Sequence, residues 1–185
     1  MCKSCEEKPV YEFTNQRKLC KRCFINYFHK KSLYTIRKFN MIKQGDVIGY
    51  KKTNDFKGIV LEEILNFLSK KYGFIIFKLP NKKTTKIAVN SSLDSESNEI
   101  VKSIIQGNAS DLKRELPVEG KIIKPLYLFL DEEILLYAKL RNLKFSQYKG
   151  KKDKIHELLT EFEKTHPEVK RAVVNSLLRL YSSSK

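Results

Sequence analysis

The four cysteines of this 185-residue chain are Cys2, Cys5, Cys20 and Cys23, which form two CxxC pairs. Each pair places two thiolates on one side of a tight turn, and together the pairs complete a tetrahedral sulfur shell that suits Zn²⁺. The residues between the pairs are too few and too polar to form a core. Bound metal therefore has to supply the folding energy, about 10–16 kcal/mol for a structural zinc site. The spacing predicts a structural zinc ribbon over residues 1–24.

Other uses of these residues fit the sequence less well. Two disulfides require an oxidising compartment, which we do not expect because no secretory signal precedes the cysteines. A redox CxxC motif needs only one pair and normally opens a helix that follows a strand. His29 is a further candidate ligand, but four thiolates already complete the shell, so we expect His29 to be packed or solvated.

The charge of the chain limits its partners. Its 37 basic and 21 acidic residues give a net charge of +16, which favours a polyanionic partner such as nucleic acid. An anionic membrane surface and a general lysine bias are the alternative explanations. Lysine outnumbers arginine, which suits phosphate contacts better than bidentate reading of bases. No apolar run reaches the 18 residues that indicate a membrane helix, so the sequence predicts a cytoplasmic protein with no membrane partner.

The segment from Phe13 to Gly45 contains no acidic residue. Aromatic residues lie among its cations, as in proteins that contact a phosphate backbone and stack rings on bases. The simpler alternative is a solvated basic face, with the rings at helical spacing buried in the core. The cations that we predict to contact nucleic acid are Lys18, Lys21, Arg22, Lys30, Lys31, Arg37 and Lys38.

Alternating strand and helix patterns predict an α/β fold with a parallel sheet. A basic linking helix is predicted over 25–45 and an α/β domain with C-terminal helices over 46–185. Gly73 is expected to end the helix over 58–71, and Asp131 to cap the helix that runs to about residue 140. The predicted strands are 47–50, 74–79 and 86–89, and the predicted helices are 21–40, 58–71, 95–106, 110–116, 131–140, 152–164 and 168–181.

Four segments resemble one family, and they occur in that family's order. They are LCKRCFINYFHKKSLYTIRKFNMIKQGD (19–46), KIAVNSSLDSESNEIVKSIIQGN (86–108), GKIIKPLYLFLDEEILLYAKLRNLKF (120–145) and EFEKTHPEVKRAVVNSLLRLY (161–181). Together they are similar to the tRNA 2-thiolation group of the PP-loop ATP pyrophosphatase superfamily, which makes 2-thiouridine in tRNA. The resemblance implies a zinc ribbon followed by a reduced PP-loop-like (adenine nucleotide alpha hydrolase-like) sheet with flanking helices. It also implies tRNA, or another structured RNA, as the partner.

The residues that bind ATP in this family's loop are missing from this chain. Family members adenylate the target base with ATP, whose phosphates are bound by a glycine-rich SGGKDS loop after the first strand. Backbone N–H groups at a helix N-terminus bind the phosphates, and glycines permit their close approach. Here Asp55 would repel a phosphate and Phe56 is bulky, so we do not expect ATP to be hydrolysed. The equivalent segment, referred to below as the vestigial nucleotide loop, is Thr53, Asn54, Asp55, Phe56, Lys57 and Gly58.

The family's sulfur chemistry has no residues to perform it. Family enzymes use cysteines beyond the zinc ligands to hold an iron–sulfur cluster or to carry sulfur, and this chain has no further cysteine. We therefore predict no iron–sulfur cluster and no catalytic residue. The segment 74–86 is short where the family has further strands, helices and cysteines. In the LDDE-like motif at 93–96, Ser95 replaces an acid, and Asp94 and Glu96 either face a remnant pocket or, as we expect, cap the helix.

The sequence thus predicts a degenerate, non-catalytic relative that binds tRNA or assists an active thiolation paralogue. An interface with that paralogue would use Val173, Leu177 and Leu180, unless these residues are ordinary core. Two alternatives stay open. One is an active thiolation enzyme with a divergent ATP site or partner-supplied sulfur; the other is a zinc-ribbon protein that binds other nucleic acid.

Overall fold

The computed structural model describes residues 1–146 and 153–182. Its helices are α1 (Lys21–Lys38), α2 (Phe56–Tyr72), α3 (Leu93–Ile105), α4 (Asp131–Leu140), α5 (Lys154–Thr165) and α6 (Val169–Ser182), with a 3-10 helix at Ala109–Glu115. Its strands are β1 (Tyr11–Glu12), β2 (Lys18–Leu19), β3 (Val47–Tyr50), β4 (Ile75–Lys78), β5 (Lys86–Ala88), β6 (Val118–Glu119) and β7 (Ile122–Ile123). The predicted α/β class is confirmed. No helix within the described ranges is long and apolar enough to cross a membrane.

The central sheet is mixed rather than wholly parallel, which corrects the prediction. Its strand order is β4-β3-β5-β7-β6, and β1 and β2 form a separate antiparallel pair. The neighbours among β4, β3, β5 and β7 are parallel, whereas β6 pairs with β7 antiparallel. Gly120 joins these last two strands with a φ of 56°, a conformation that glycine adopts without strain. Because β6 and β7 have only two residues each, they show no alternation of apolar and polar residues, and the sequence did not predict either strand.

The main core lies on one face of this sheet. Ile48, Ala88 and Ile123 point to that face and are buried with apolar residues of α1, α2 and α4. A second cluster joins α3 to α6 through Leu93, Ile100, Val174 and Leu177, among others. Of the candidate interface residues, Leu177 belongs to this core, Val173 packs against it and Leu180 is exposed. Ordinary packing therefore accounts for Leu177.

Side-chain caps set several helix boundaries. Asp55 and Ser92 accept hydrogen bonds from the backbone N–H groups that follow them, so α2 and α3 each begin two residues earlier than predicted. The N-cap of α4 is Leu130, and Asp131 is the first helical residue, which corrects its predicted role. Gly73 ends α2 in the left-handed conformation, as expected, with φ 75°. Residue 152, the predicted start of α5, lies outside the described residues.

Candidate metal centre and nucleic-acid interface

The turn before β1 and the start of α1 bring the four cysteines together. Their Sγ atoms all lie within 4.8 Å of one another. The Sγ atom of Cys5 is 3.3 Å from that of Cys20 and 3.6 Å from that of Cys23. A disulfide would need about 2.05 Å, and all four thiols are free. The four predicted ligands therefore form one cluster that could hold a metal ion.

The sulfur geometry suits a single tetrahedral ion. Four sulfurs, each about 2.3 Å from one zinc ion, are about 3.8 Å apart, close to the short separations in this cluster. In a [4Fe-4S] cluster each thiolate binds a different iron, which holds the sulfurs farther apart. The backbone N–H of Ser4 donates to the Sγ of Cys2 over 3.5 Å and lowers the pKa of this thiol to about 6. A lowered pKa favours the thiolate that a metal requires, whereas the hydrogen bond with Cys5 and burial raise the pKa of Cys23, and the pKa of Cys20 is also raised. The pKa values of these thiols therefore do not by themselves indicate a metal.

His29 is not part of this cluster. Its Nε2 lies 2.7 Å from the Tyr137 hydroxyl, and its ring stacks on Phe67 at a centroid distance of 4.0 Å. Burial lowers the pKa of His29, which favours the neutral ring. The histidine is packed between α2 and α4, as the sequence analysis expected.

The ribbon is held against the rest of the protein by α1 and by hydrogen bonds. The Tyr11 hydroxyl donates to Glu132 over 2.6 Å, and the Thr14 hydroxyl donates to Glu168 over 2.6 Å. In α1 the ring of Phe28 lies between those of Phe129 and Tyr137, at centroid distances of 4.2 and 4.1 Å. These contacts fix the direction of α1, and with it the surface that α1 presents to solvent.

One side of α1 presents cations to solvent. Arg22, Asn26, Lys30, Tyr34 and Arg37 are all exposed and recur at helical spacing, and we refer to them as the basic stripe. From first to last they extend about 22 Å along the helix. No acidic residue lies in α1 to neutralise them. Such a stripe can follow a phosphate backbone, while a ring that is 55% exposed at Tyr34 is available for stacking.

The other predicted cations occupy different environments. Lys21 and Lys38 are exposed at the ends of α1, and Lys18 lies 3.2 Å from Glu12 at the surface. Lys31 has a different role from the one predicted: its Nζ lies 2.7 Å from Glu133, and its side chain is only 11% exposed. Burial lowers the pKa of Lys31 to about 8, although the negative charge of Glu133 acts in the opposite direction and raises it. Lys31 thus joins α1 to α4 and is not available to a phosphate.

A cavity of about 630 Å³ lies beside the basic stripe, between the ribbon and α1. Its lining includes Cys23, Lys30 and Arg17. The guanidinium of Arg17 lies over the rings of Phe13 and Tyr27, at 4.9 and 5.4 Å from their centroids. Arg17 was not among the predicted contacts, although its place in the acid-free segment was a signal for it. The cavity extends the basic stripe toward the four cysteines.

In the vestigial nucleotide loop, a side chain of the loop itself accepts from the backbone N–H groups. The Oδ1 of Asp55 accepts from the backbone N–H groups of Lys57 (3.0 Å) and Gly58 (3.1 Å), and from Asn90 Nδ2 (3.4 Å). These N–H groups stand at the start of α2, where a bound phosphate would need them. A Cβ on Gly58 would lie 1.8 Å from the Thr53 hydroxyl, so glycine is required for the loop to close on α2.

The lysine of the same loop also has internal partners. Lys57 Nζ lies 2.8 Å from Asp131 and donates to the hydroxyls of Ser92 (3.0 Å) and Ser95 (2.8 Å). Its side chain is 14% exposed. Ser95, which stands where the LDDE-like motif would have an acid, therefore serves as an acceptor for Lys57.

The two remaining acids of that motif form buried ion pairs and do not cap α3. Asp94 accepts from Lys170 Nζ over 2.6 Å and from the backbone N–H of Asp131 over 2.7 Å. Glu96 accepts from Lys124 Nζ over 2.7 Å; burial raises the pKa of Glu96 to about 7, and Lys124 opposes that rise. The cap of α3 is Ser92 instead. The motif holds α3, α4 and α6 together.

Comparison with known proteins shows the fold. No family model matches the sequence, and no curated protein matches it. The structure is similar to that of the U34-tRNA thiolase NcsA from Methanococcus maripaludis, solved with its [4Fe-4S] cluster. The match has a TM-score of 0.77 and covers 97% of this chain and 86% of that chain, at 17% sequence identity. This likeness confirms the PP-loop-like architecture, while activity has to be argued from the residues.

Proposed function

We propose that this protein binds tRNA, or another structured RNA, as a non-catalytic or auxiliary relative of the tRNA 2-thiolation enzymes. The observation that carries the proposal is the basic stripe, which presents Arg22, Lys30 and Arg37 on a helix without acidic residues. The stripe stands in a fold similar to that of a U34-tRNA thiolase. Phosphate contacts of this kind give affinity without reading bases, which suits recognition of a folded RNA by shape.

We assign Zn²⁺ to the four cysteines. Their short sulfur–sulfur separations support one tetrahedral ion, and four thiolates leave no open position for a substrate or water. In this assignment the metal has a structural role: it fixes the hairpin of β1 and β2 against the first turn of α1. The ribbon then presents Arg17 beside Lys30.

The absence of ATP chemistry is supported by the vestigial nucleotide loop. A nucleotide phosphate would have to displace the Asp55 carboxylate from two backbone N–H groups and separate Lys57 from Asp131. It would also lie next to the negative charge of Asp55, which raises the free energy of the bound state. The alternative is an active thiolation enzyme with a divergent ATP site, and nucleotide titration distinguishes the two.

The RNA proposal is tested by the salt dependence of tRNA binding. With about five phosphate contacts, the slope of log affinity against log salt concentration should be about −4.5 between 50 and 200 mM salt. Fluorescence anisotropy with labelled tRNA gives this slope, and a duplex DNA and an unstructured RNA of equal length are the controls. Affinity that does not change with salt would contradict the proposal, and tighter binding to DNA would favour the alternative nucleic-acid partner.

The same preparation should not bind ATP. Calorimetric titration with Mg·ATP to millimolar concentration is expected to give only heat of dilution, because the N–H groups and the lysine already have internal partners. A PP-loop enzyme with an intact SGGKDS loop serves as the positive control. Saturable heat at a stoichiometry of one would show that a divergent ATP site exists.

A further inference from the structure

A cavity of about 400 Å³, which we refer to as the helix-end cavity, lies where α1 and α2 end, beside the loop that leads into β3. Its apolar lining comes from both helices and from the residues that follow them: Leu33, Ile36, Ile42, Leu68 and Phe74. Gly73, which ends α2, and Gly45, in the loop, also line it, and a Cβ added to either would meet no atom within 4 Å. The glycines therefore border open space, and the cavity is accessible from solvent.

The helix-end cavity is separate from the vestigial nucleotide loop. Residues 42–45 of its lining precede β3, whereas residues 53–58 of the nucleotide loop follow β3. The two features thus lie at opposite ends of that strand. None of the six loop residues, all of which the structure describes, lines the cavity. The internal contacts of the nucleotide loop therefore do not restrict what the cavity binds.

Arg37 connects the helix-end cavity to the basic stripe. It is the last residue of the stripe, and its side chain also lines the cavity. The guanidinium carbon of Arg37 is 5.7 Å from the centroid of the Tyr72 ring, within the range of a cation–π contact. Tyr72 lines the cavity and is 42% exposed, so part of its ring is available to a ligand. Aromatic rings and arginine planes are the side-chain surfaces on which unpaired RNA bases stack.

The charges at the cavity favour a ligand that carries phosphates. Arg37 and Lys43 line it, and Lys71 Nζ lies 5.6 Å from the centroid of the Tyr72 ring. No acidic residue is among the described residues of the lining. Asp46, in the same loop, accepts from the backbone N–H of Lys43 over 2.8 Å, so its single negative charge stands against three cations. A neutral apolar ligand would gain nothing from these cations.

We propose that the helix-end cavity binds one unpaired base of the RNA whose phosphates lie on the basic stripe, an inference that rests on the RNA-binding function proposed above. A volume of about 400 Å³ is at the small end of ligand pockets, which span about 300–1,000 Å³, and suits a single base. The apolar lining covers the faces of the base, and the amide of Gln44 can donate to and accept from its edge. The protein then prefers RNA with unpaired loops over a continuous duplex.

Removal of the Tyr72 ring tests the proposal on two RNAs. In the full-length, metal-loaded protein, Tyr72→Ala should lower affinity for tRNA about tenfold, the effect of one stacked base. The slope of log affinity against log salt concentration should stay the same, because no phosphate contact is lost. Affinity for a fully paired RNA duplex with as many phosphates should stay within about twofold, because the duplex offers no unpaired base. Tyr72→Phe keeps the ring and should bind tRNA like the unmodified protein, and Phe162→Ala, which removes a 48% exposed ring on α5, is the matched control.

Fluorescence at the cavity gives a second measurement. The chain has no tryptophan, so Tyr72→Trp introduces a single indole that tRNA should quench saturably, whereas Phe162→Trp should show no quenching. Unchanged tRNA affinity in Tyr72→Ala, or equal losses for tRNA and duplex, would overturn base binding; a salt slope that is still about −4.5 would leave RNA binding itself intact. Quenching by oleate and not by tRNA would overturn the proposal in favour of an apolar anion. No tRNA binding by the unmodified protein would overturn both proposals.

Discussion

Removal of the bound metal should unfold the ribbon and leave the α/β body folded. The ribbon has only two-residue strands, joined by hydrogen bonds such as that from Val10 N–H to the Leu19 carbonyl (2.8 Å). Its apolar side chains, Tyr11, Phe13 and Leu19, pack against α1 and do not form a core of their own. Structural zinc supplies about 10–16 kcal/mol of apparent binding free energy in modules of this kind. Hydrogen exchange should show protection of the Val10 amide only in the metal-loaded protein, and elemental analysis should find one zinc per chain.

Two variants distinguish the loss of a metal ligand from a general loss of stability. Cys20→Ser removes a ligand and should release the metal, whereas His29→Gln changes a histidine outside the cluster and should retain it. Exchange protection in the ribbon that survives both chelation and Cys20→Ser would show that the metal is not a folding element. Four irons per chain, with the visible absorption of a cluster, would replace the zinc assignment with an iron–sulfur one.

The sequence was sufficient for features that depend on neighbouring residues. The two CxxC pairs predicted a cluster, and the structure brings the four cysteines together because the fourteen residues between the pairs return the chain to its start. The helices from α1 to α4 follow apolar periodicity and the capping preferences of Asp, Ser and Gly, so most predicted bounds lie within two residues.

The sequence was not sufficient for contacts between distant parts of the chain. Lys31 looked like any other cation in a basic helix, and its partner Glu133 is 102 residues away. The pair of Lys170 with Asp94 is separated by 76 residues. No periodicity encodes such pairs, because each charge is compatible with solvent until a neighbour buries it. The helix-capping prediction for Asp94 was wrong for this reason.

The vestigial nucleotide loop shows how side chains of the chain itself can satisfy groups that could otherwise bind a phosphate. The N-terminus of α2 leaves backbone N–H groups that need an acceptor, and a phosphate oxygen would satisfy them. Asp55 supplies a carboxylate from the chain itself, and Asp131 does the same for Lys57. The helix and the lysine are thus satisfied without nucleotide, which allows the scaffold to stay folded in the absence of ATP.

Reversal of three charges on the basic stripe should greatly weaken tRNA binding. In the triple variant Arg22→Glu, Lys30→Glu and Arg37→Glu, three phosphate contacts become repulsions on a helix that is otherwise unchanged. We expect tRNA affinity at 100 mM salt to fall about 100-fold or more, and the salt slope to become shallower by about three. Anisotropy titrations at several salt concentrations measure both quantities, and circular dichroism checks that the variant is folded.

A matched variant distinguishes the effect of where the charges lie from the effect of how many charges there are. Lys113→Glu, Lys121→Glu and Lys144→Glu reverse three exposed lysines away from α1, and so lower the net charge equally. Long-range attraction should then fall, with a loss of affinity below about tenfold and little change in slope, because no contacting cation is removed. Equal losses in the two variants would mean that overall charge, rather than α1, attracts the RNA. A large loss confined to the stripe would identify α1 as the surface on which the RNA lies.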